Sequence, residues 1–353
     1  MKRRIVILAE KKLGPLSSKM ANGVIHFLPE EVVAVVDSRY GGKTVQQVLD
    51  FGGSIPIVTT LEEALPFHPN TMLIGISPPA GEFPADWYPL IIQALQNKLH
   101  VISGLHDLLG EIQEFKVLAE KYNVKITDLR KYTQAATLAR GLARKFKSKI
   151  ILTIGTHGNV GKMTTTIELV KQLLKMGKSA DWLATGQIGI LIKGKGIPLD
   201  AIKGDFLSGA VESALAQLDG KYEYIIIEGQ GSLQHLGYSS VSTALLHGSL
   251  PDAMILCHRT DVGITDYGID TDNLHNAITL HENLLSFVKP AKVIAISLNT
   301  YNLSKNKAGE LIESIHRNTG LAVTDPMRFD GKILAEAILE YFRYVSKNLS
   351  DGI

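Results

Sequence analysis

The 353-residue chain has little of several things that would narrow its function at once. Its single cysteine, Cys257, excludes an internal disulfide and fits a reducing compartment. Charges nearly cancel, 37 Lys and Arg against 35 Asp and Glu, so no broad field calls for nucleic acid or an acidic membrane. Long apolar runs are missing. The one after Met1-Lys2-Arg3-Arg4 extends only from Ile5 to Ala9 before Glu10, too little for a signal peptide, and none approaches a membrane span. No two histidines stand at H-x-x-x-H spacing and Cys257 has no cysteine partner, so no metal site is expected. These absences point to a cytoplasmic chain with small-molecule substrates and no nucleic-acid or membrane partner.

What is present is the patterning of a wound α/β protein. Apolar runs at Ile5 to Ala9, Val32 to Val36 and Met72 to Ile76 alternate with helical stretches at Pro89 to Leu99 and Ile112 to Tyr122. The length suits two domains, and a Rossmann-like domain is expected over 1–145 with a second α/β domain, its sheet mostly parallel, over 146–353. Asp37 ends the second run, where a dinucleotide-binding fold places its ribose-binding acid. Yet the first turn, Glu10 to Ala21, has only Gly14 and lacks G-x-G-x-x-G, so no nucleotide is assigned there. Gly42-Lys43-Thr44 reads as a turn, because the helical pattern after it stops at Phe51 before Gly52-Gly53. The basic stretch Arg140 to Lys149 has no aromatic beyond Phe146 and reads as a solvated interdomain helix.

The clearest chemical signal is a glycine-rich turn, Gly155, Thr156, His157, Gly158, Asn159, Val160, Gly161, Lys162, Met163 and Thr164. A short β-branched run from Ile150 to Ile154 precedes it, and Ile167, Val170, Leu173 and Leu174 follow at helical spacing up to Gly177. Strand, turn and helix in this order form a P-loop, in which backbone N–H groups converge on an anion and the lysine adds a mobile charge. Thr156 and Met163 depart from G-x-x-x-x-G-K-[ST]. Met163 has no hydroxyl for Mg²⁺, so the loop suits holding a pyrophosphate better than handling magnesium-ATP.

Downstream, the apolar run Tyr224 to Ile227 delivers Glu228 into Gly229-Gln230-Gly231-Ser232, a carboxylate on a glycine-rich turn that is expected beside the P-loop. Ala184-Thr185-Gly186-Gln187, Cys257-His258-Arg259 and Asn299-Thr300 end strands in the same way. Glu228, His235 and Asp205 are the candidate bases; Gln187, Gln230 and Arg259 the candidate substrate contacts, with Lys203 as a second cation; Asn299 can read a base edge. His247 is a further polar group in this region, and Cys257, on an apolar strand, reads as a small hydrophobe.

The turn Gly155-Thr156 through Gly161-Lys162 and the Glu228-Gly229 turn resemble dethiobiotin synthetase and related P-loop ligases. A longer set resembles a two-domain family, formerly uncharacterised, described as D-glutamate N-acetyltransferase-like. Its segments are Asp128 to Lys131, Lys162 to Thr165, Ala184 to Gln187, Asp205-Phe206, Glu228 to Leu233 and Leu246 to Ser249. That resemblance implies acetyl transfer from acetyl-CoA to the amine of a D-amino acid such as D-glutamate, feeding an epimerase or racemase, with a homo-oligomer expected. The family's loop carries an acid and a cysteine where this chain has His157 and Gly158. The P-loop would hold the coenzyme A pyrophosphate. The alternatives are an ATP- and Mg²⁺-dependent ligase or kinase, and a nucleotide-binding protein without turnover.

Overall fold

A computed structural model describes residues 2–15, 17–76, 83–135, 137–265 and 268–350, with side chains to 348. The chain divides into two compact units, Met1–Thr133 with Ile190–Ala201, and Gln134–Gly189 with Ile202–Ile353. The sequence boundary near 145 thus lies inside the second unit, and a short piece of the second half belongs to the first. In that first unit the piece is tied down by the buried Arg130, whose guanidinium pairs with Asp200 at 2.8 Å.

The first unit is built on β1 (Ile5–Leu8), β2 (Val32–Val36), β3 (Ile57–Val58), β4 (Thr71–Ile74), β5 (His100–Ser103) and β6 (Ile126–Asp128). All pair in parallel in the order β3-β2-β1-β4-β5-β6, the strand order of a dinucleotide-binding fold. One sheet face is covered by the helices Leu61–Ala64, Tyr88–Gln96 and Gln113–Tyr122, burying Val6, Leu8, Met72, Ile74, Ile91, Leu95 and Phe115. Strands buried on both faces must be apolar throughout, which is why β1, β2 and β4 read as continuous runs rather than alternations. Gly42-Lys43-Thr44 is a turn. Gly42 takes φ +84°, and Thr44 starts a five-residue helix, Val45–Leu49, closed by a capping box with Gln47.

The second unit carries β7 (Lys149–Gly155), β8 (Ala180–Leu183), β9 (Tyr224–Ile227), β10 (Ala253–Arg259), β11 (Lys292–Asn299) and β12 (Ala322–Thr324). Their order is β12-β11-β10-β7-β9-β8, again all parallel. After β7 the chain turns to β8 and β9 on one side, and only later places β10 to β12 on the other. The C-terminal end of β7 is therefore a topological switch point, where open α/β sheets leave a crevice for ligands.

The basic stretch before β7 departs from the sequence expectation. It is a single 3-10 turn, Leu142–Lys145, followed by the extended Phe146. Gly141 is left-handed, and the N–H groups of Arg140 and Leu142 donate to the buried Glu212 carboxylate at 2.8 and 2.7 Å, so the backbone partners a side chain instead of itself. No helix among the described residues is long and apolar enough to cross a membrane.

Candidate functional site

The glycine-rich turn sits at that switch point. β7 ends at Gly155, and the helix Lys162–Lys175 begins immediately after Gly161, which holds φ +103° and offers no side-chain cap. The first N–H groups of a helix have no partner within it, so this 14-residue helix, without a side-chain cap, aims those donors and its positive dipole end into the turn. Lys162 folds back over the loop, its Nζ donating to the His157 carbonyl at 2.8 Å. Space for the lysine is made by glycines. A Cβ on Gly155 would stand 2.9 Å from Lys162 Nζ, and one on Gly229 would overlap the Thr153 carbonyl at 1.7 Å and crowd the lysine stem at 3.0 Å.

Thr156 anchors the loop. Its N–H donates to the Cys257 carbonyl, its carbonyl accepts from Ser232 Oγ at 2.9 Å, and its hydroxyl pairs with His258 Nδ1 at 3.0 Å. His258 Nε2 stands 3.5 Å from Asp272, and burial holds the ring below its ordinary pKa. Further into the helix, Thr165 and Thr166 are turned inward to Ser297 Oγ at 2.7 Å and Thr153 Oγ1 at 3.0 Å. Thr164 is half-buried, and Met163 occupies the position of the magnesium-ligating hydroxyl.

Glu228 lies just past β9, buried beneath this cradle. Its Oε2 accepts from the N–H groups of Thr185 at 2.9 Å and Gly186 at 3.3 Å, and its Oε1 from Gln230 Nε2 at 3.1 Å. Loss of hydration pushes its pKa up to about 7; these donors and the Lys162 charge pull the other way without cancelling the burial. Gly189 is required above it, since a Cβ there would meet Oε2 at 2.3 Å.

Two walls flank the loop tip. On one side His157 and His235 meet edge to face at 5.1 Å between ring centroids, and Tyr238 stacks on His235 at 4.4 Å. His235 Nδ1 accepts from the Gly237 N–H at 3.1 Å, which fixes the neutral tautomer with its proton on Nε2. Desolvation, with His157 next, lowers the His235 pKa and keeps that tautomer neutral. On the other side Arg259 Nη1 donates to the Asn159 carbonyl at 3.2 Å, Arg259 Nε pairs with Asp261, and Asp261 accepts from the Tyr301 hydroxyl at 3.0 Å. A guanidinium carries five donors, so Arg259 keeps capacity for an anion beside the loop.

The structure thus brings together the whole of Gly155 to Thr164 with Glu228, Gln230, His235 and Arg259. Gln187 is half-buried at the start of the helix Gln187–Lys193, one residue from a Glu228 donor. Asn299 pairs in register with Arg259 at the end of β11, its Oδ1 accepting from the Tyr301 N–H at 3.3 Å. Asp205 is exposed in the 3-10 turn Gly204–Phe206, and among the described residues no hydrogen bond or ion pair joins it to the loop or to Glu228. Lys203 is exposed at the start of the same turn, and His247 is half-buried in the helix Ser239–Ser249. Cys257 is fully buried and its thiol is pushed up to about 11, the state of an inert hydrophobe. Sequence reasoning did not single out Thr153, Thr185, Ser232, His258, Asp261 or Tyr301. Thr185, Ser232 and His258 lie in strand-end segments that pattern alone marks, whereas Thr153, Asp261 and Tyr301 act through contacts with residues distant in sequence.

A parallel sheet ending in a lysine-bearing glycine loop at its switch point, with a buried acid on the neighbouring strand, defines the second unit as a P-loop domain. Residues 137–335 match the family model described as a domain of unknown function (DUF1611_C), P-loop domain, and residues 38–132 match its Rossmann-like domain (DUF1611_N). The chain belongs to the DUF1611 family. It is 35% identical to a D-glutamate N-acetyltransferase of Pseudoalteromonas sp. over 89% of this chain and 92% of that protein. It is 32% identical to a D-glutamate N-acetyltransferase of Tritonibacter scottomollicae over 92% and 94%. A crystal structure of a DUF1611 family protein from Anabaena variabilis superposes with a TM-score of 0.91 at 32% identity, covering 96% of this chain and 99% of that one.

Proposed function

We propose that this chain is an N-acetyltransferase that moves an acetyl group from acetyl-CoA to the amine of a D-amino acid such as D-glutamate. The observation that carries the chemistry is Glu228, a buried carboxyl with a pKa of about 7 directly beneath an anion cradle. An amine becomes nucleophilic only on losing a proton, and a base works best when its pKa lies near the working pH. The substrate follows the names of the two relatives, matched over more than nine-tenths of their length. When bound, acetyl-CoA supplies an acetyl thioester, already activated for attack.

The residues divide the work as follows. The N–H groups of the loop from Gly155 to Thr164 and the Lys162 ammonium hold the coenzyme's pyrophosphate, and Asn299 offers a donor and an acceptor to a base edge. The cradle fits such a group because its helix N-terminus is uncapped and because Gly155 and Gly229 let the Lys162 side chain lie against the loop. Glu228 takes the amine proton, and as the thioester C–S bond breaks the proton would pass to the departing sulfur, so that coenzyme A leaves as its thiol. Gln187 and Gln230 orient the acceptor beside it, Arg259 takes the acceptor's carboxylate in a forked pair, and the Nε2–H of neutral His235 donates to developing negative charge. His235 serves here as a donor and not as the base expected from sequence, because Nδ1 already accepts from Gly237. Met163 removes nothing from such a reaction, since acyl transfer from a thioester transfers no phosphoryl group. The acetylated product is a substrate for an epimerase or racemase.

The purified 353-residue chain mixed with acetyl-CoA and D-glutamate is expected to release free thiol together with N-acetylglutamate detected by mass, with L-glutamate as the control. Magnesium-dependent ATP consumption, with no thiol release for any D-amino acid, would instead select the ligase or kinase reading.

A further inference from the structure

Acetyl transfer to an amino acid leaves one proton over. At neutral pH the acceptor arrives as an ammonium and leaves as an amide, so its nitrogen gives up two protons while one N–C bond forms and one C–S bond breaks. In the proposed transfer Glu228 carries one of them to the coenzyme A sulfur. The other must reach water, and it must go first, because an ammonium has no lone pair with which to attack. Glu228 is ill suited to that task, being buried and able to hold only one proton at a time.

The loop tip holds a second acceptor. His157 is half-buried, and its Nδ1 stands 3.0 Å from the Gly158 carbonyl. A carbonyl only accepts, so Nδ1 carries the hydrogen and, in the neutral ring, Nε2 carries the lone pair. Among the described residues no hydrogen bond or ion pair is made to that Nε2. The ring is backed by His235, edge to face at 5.1 Å, which is itself stacked on Tyr238. The His157 carbonyl accepts from Lys162 Nζ, and the charge of the same lysine acts on Glu228, so the imidazole and the buried carboxyl share a neighbour.

The other titratable groups around the tip are committed. His235 Nδ1 is taken by the Gly237 N–H, which leaves its hydrogen on Nε2. Lys162 and Arg259 are cations with no acceptor. Asp261 is held by Arg259 Nε and the Tyr301 hydroxyl, and the two nitrogens of His258 face Thr156 and Asp272.

We propose, on the basis of the transferase reading, that His157 is a second catalytic base, whose Nε2 accepts the first proton of the substrate ammonium and passes it to water. The free amine then attacks the thioester carbonyl while Glu228 takes the second proton. A half-buried imidazole can return to its neutral form by exchange with solvent between turnovers, a route closed to the enclosed carboxyl.

The test is kcat/KM for D-glutamate across pH, with acetyl-CoA saturating, in the unmodified chain, His157→Gln and His157→Asn. Glutamine places an amide near the position of Nε2 and asparagine near that of Nδ1, so polar contacts are kept and neither variant is basic. Both are expected to bind coenzyme A in calorimetry as the unmodified chain does, and to lose about 10²- to 10⁴-fold in kcat/KM at pH 7. The loss should shrink as pH approaches the pKa of the substrate ammonium, because the amine then arrives already free. Unchanged kcat/KM at pH 7, a loss of the same size at every pH, or a loss matched by weakened coenzyme A binding would each overturn His157 as a base. In those cases the unmodified chain still releases thiol. No thiol release from the unmodified chain would instead overturn the transferase reading and this proposal with it.

Discussion

Replacing Glu228 by glutamine separates the two roles of that carboxyl. The amide oxygen of the variant can still accept from Thr185 and Gly186, and Gln230 can turn its own amide to present oxygen to the new NH₂, so the packing is kept. What disappears is ionisation. In the folded protein the group titrates near 7 and in the unfolded chain near 4.5, so the native state binds the extra proton between those values. The stability contributed by the raised pKa is therefore present below about pH 4.5 and is lost as pH rises through about 7. At roughly 1.4 kcal/mol per unit, the charged form is disfavoured by on the order of 3 kcal/mol at pH 8. Glu228→Gln should match the natural chain in urea melts at pH 4.5 and be more stable at pH 8 by up to that amount. On the transferase reading it should also lose about 10²- to 10⁴-fold in kcat. A variant no more stable at pH 8 than at pH 4.5, relative to the natural chain, would refute the buried-acid argument. One with unchanged kcat would remove Glu228 as the base.

Three other substitutions test neighbouring parts of the site. Gly229→Ala forces a methyl group into the Thr153 carbonyl and should destabilise the second unit by about 3 kcal/mol, read as a lowered urea midpoint; an unchanged midpoint would mean the turn can move away. Met163→Thr restores the missing hydroxyl and should increase magnesium-dependent ATP binding in calorimetry while leaving coenzyme A binding unaltered; no gain would show that another feature limits the magnesium site. Arg259→Lys keeps the charge but loses the fork. It should raise KM for the amine substrate about tenfold with kcat nearly constant, whereas a fall in kcat alone would move Arg259 out of substrate binding.

Much of the fold was legible because parallel strands covered on both faces leave uninterrupted apolar runs, as at Ile5 to Leu8, Val32 to Val36 and Tyr224 to Ile227. The P-loop was legible for a different reason. Its chemistry is local, and ten consecutive residues supply the turn, the lysine and the helix N-terminus together. Less local features were not. Arg140 to Lys149 reads as a helix until the Glu212 carboxylate, about seventy positions away, takes its N–H groups. Nothing in the composition of Ile190–Ala201 announces that it belongs to the first unit, because the bond that holds it there joins Arg130 to Asp200.

The sequence by itself determined the α/β class, the two-domain plan, the glycine-rich P-loop and the acid that follows strand β9, since each is written in contiguous residues. Only the tertiary structure decided how those groups behave. Burial raised the Glu228 pKa to about 7, a backbone N–H from Gly237 took the Nδ1 lone pair of His235, and four N–H groups filled the acceptor sites of Asp37. Protonation and hydrogen-bonding capacity depend on what surrounds a side chain in space, and chain order does not record those neighbours.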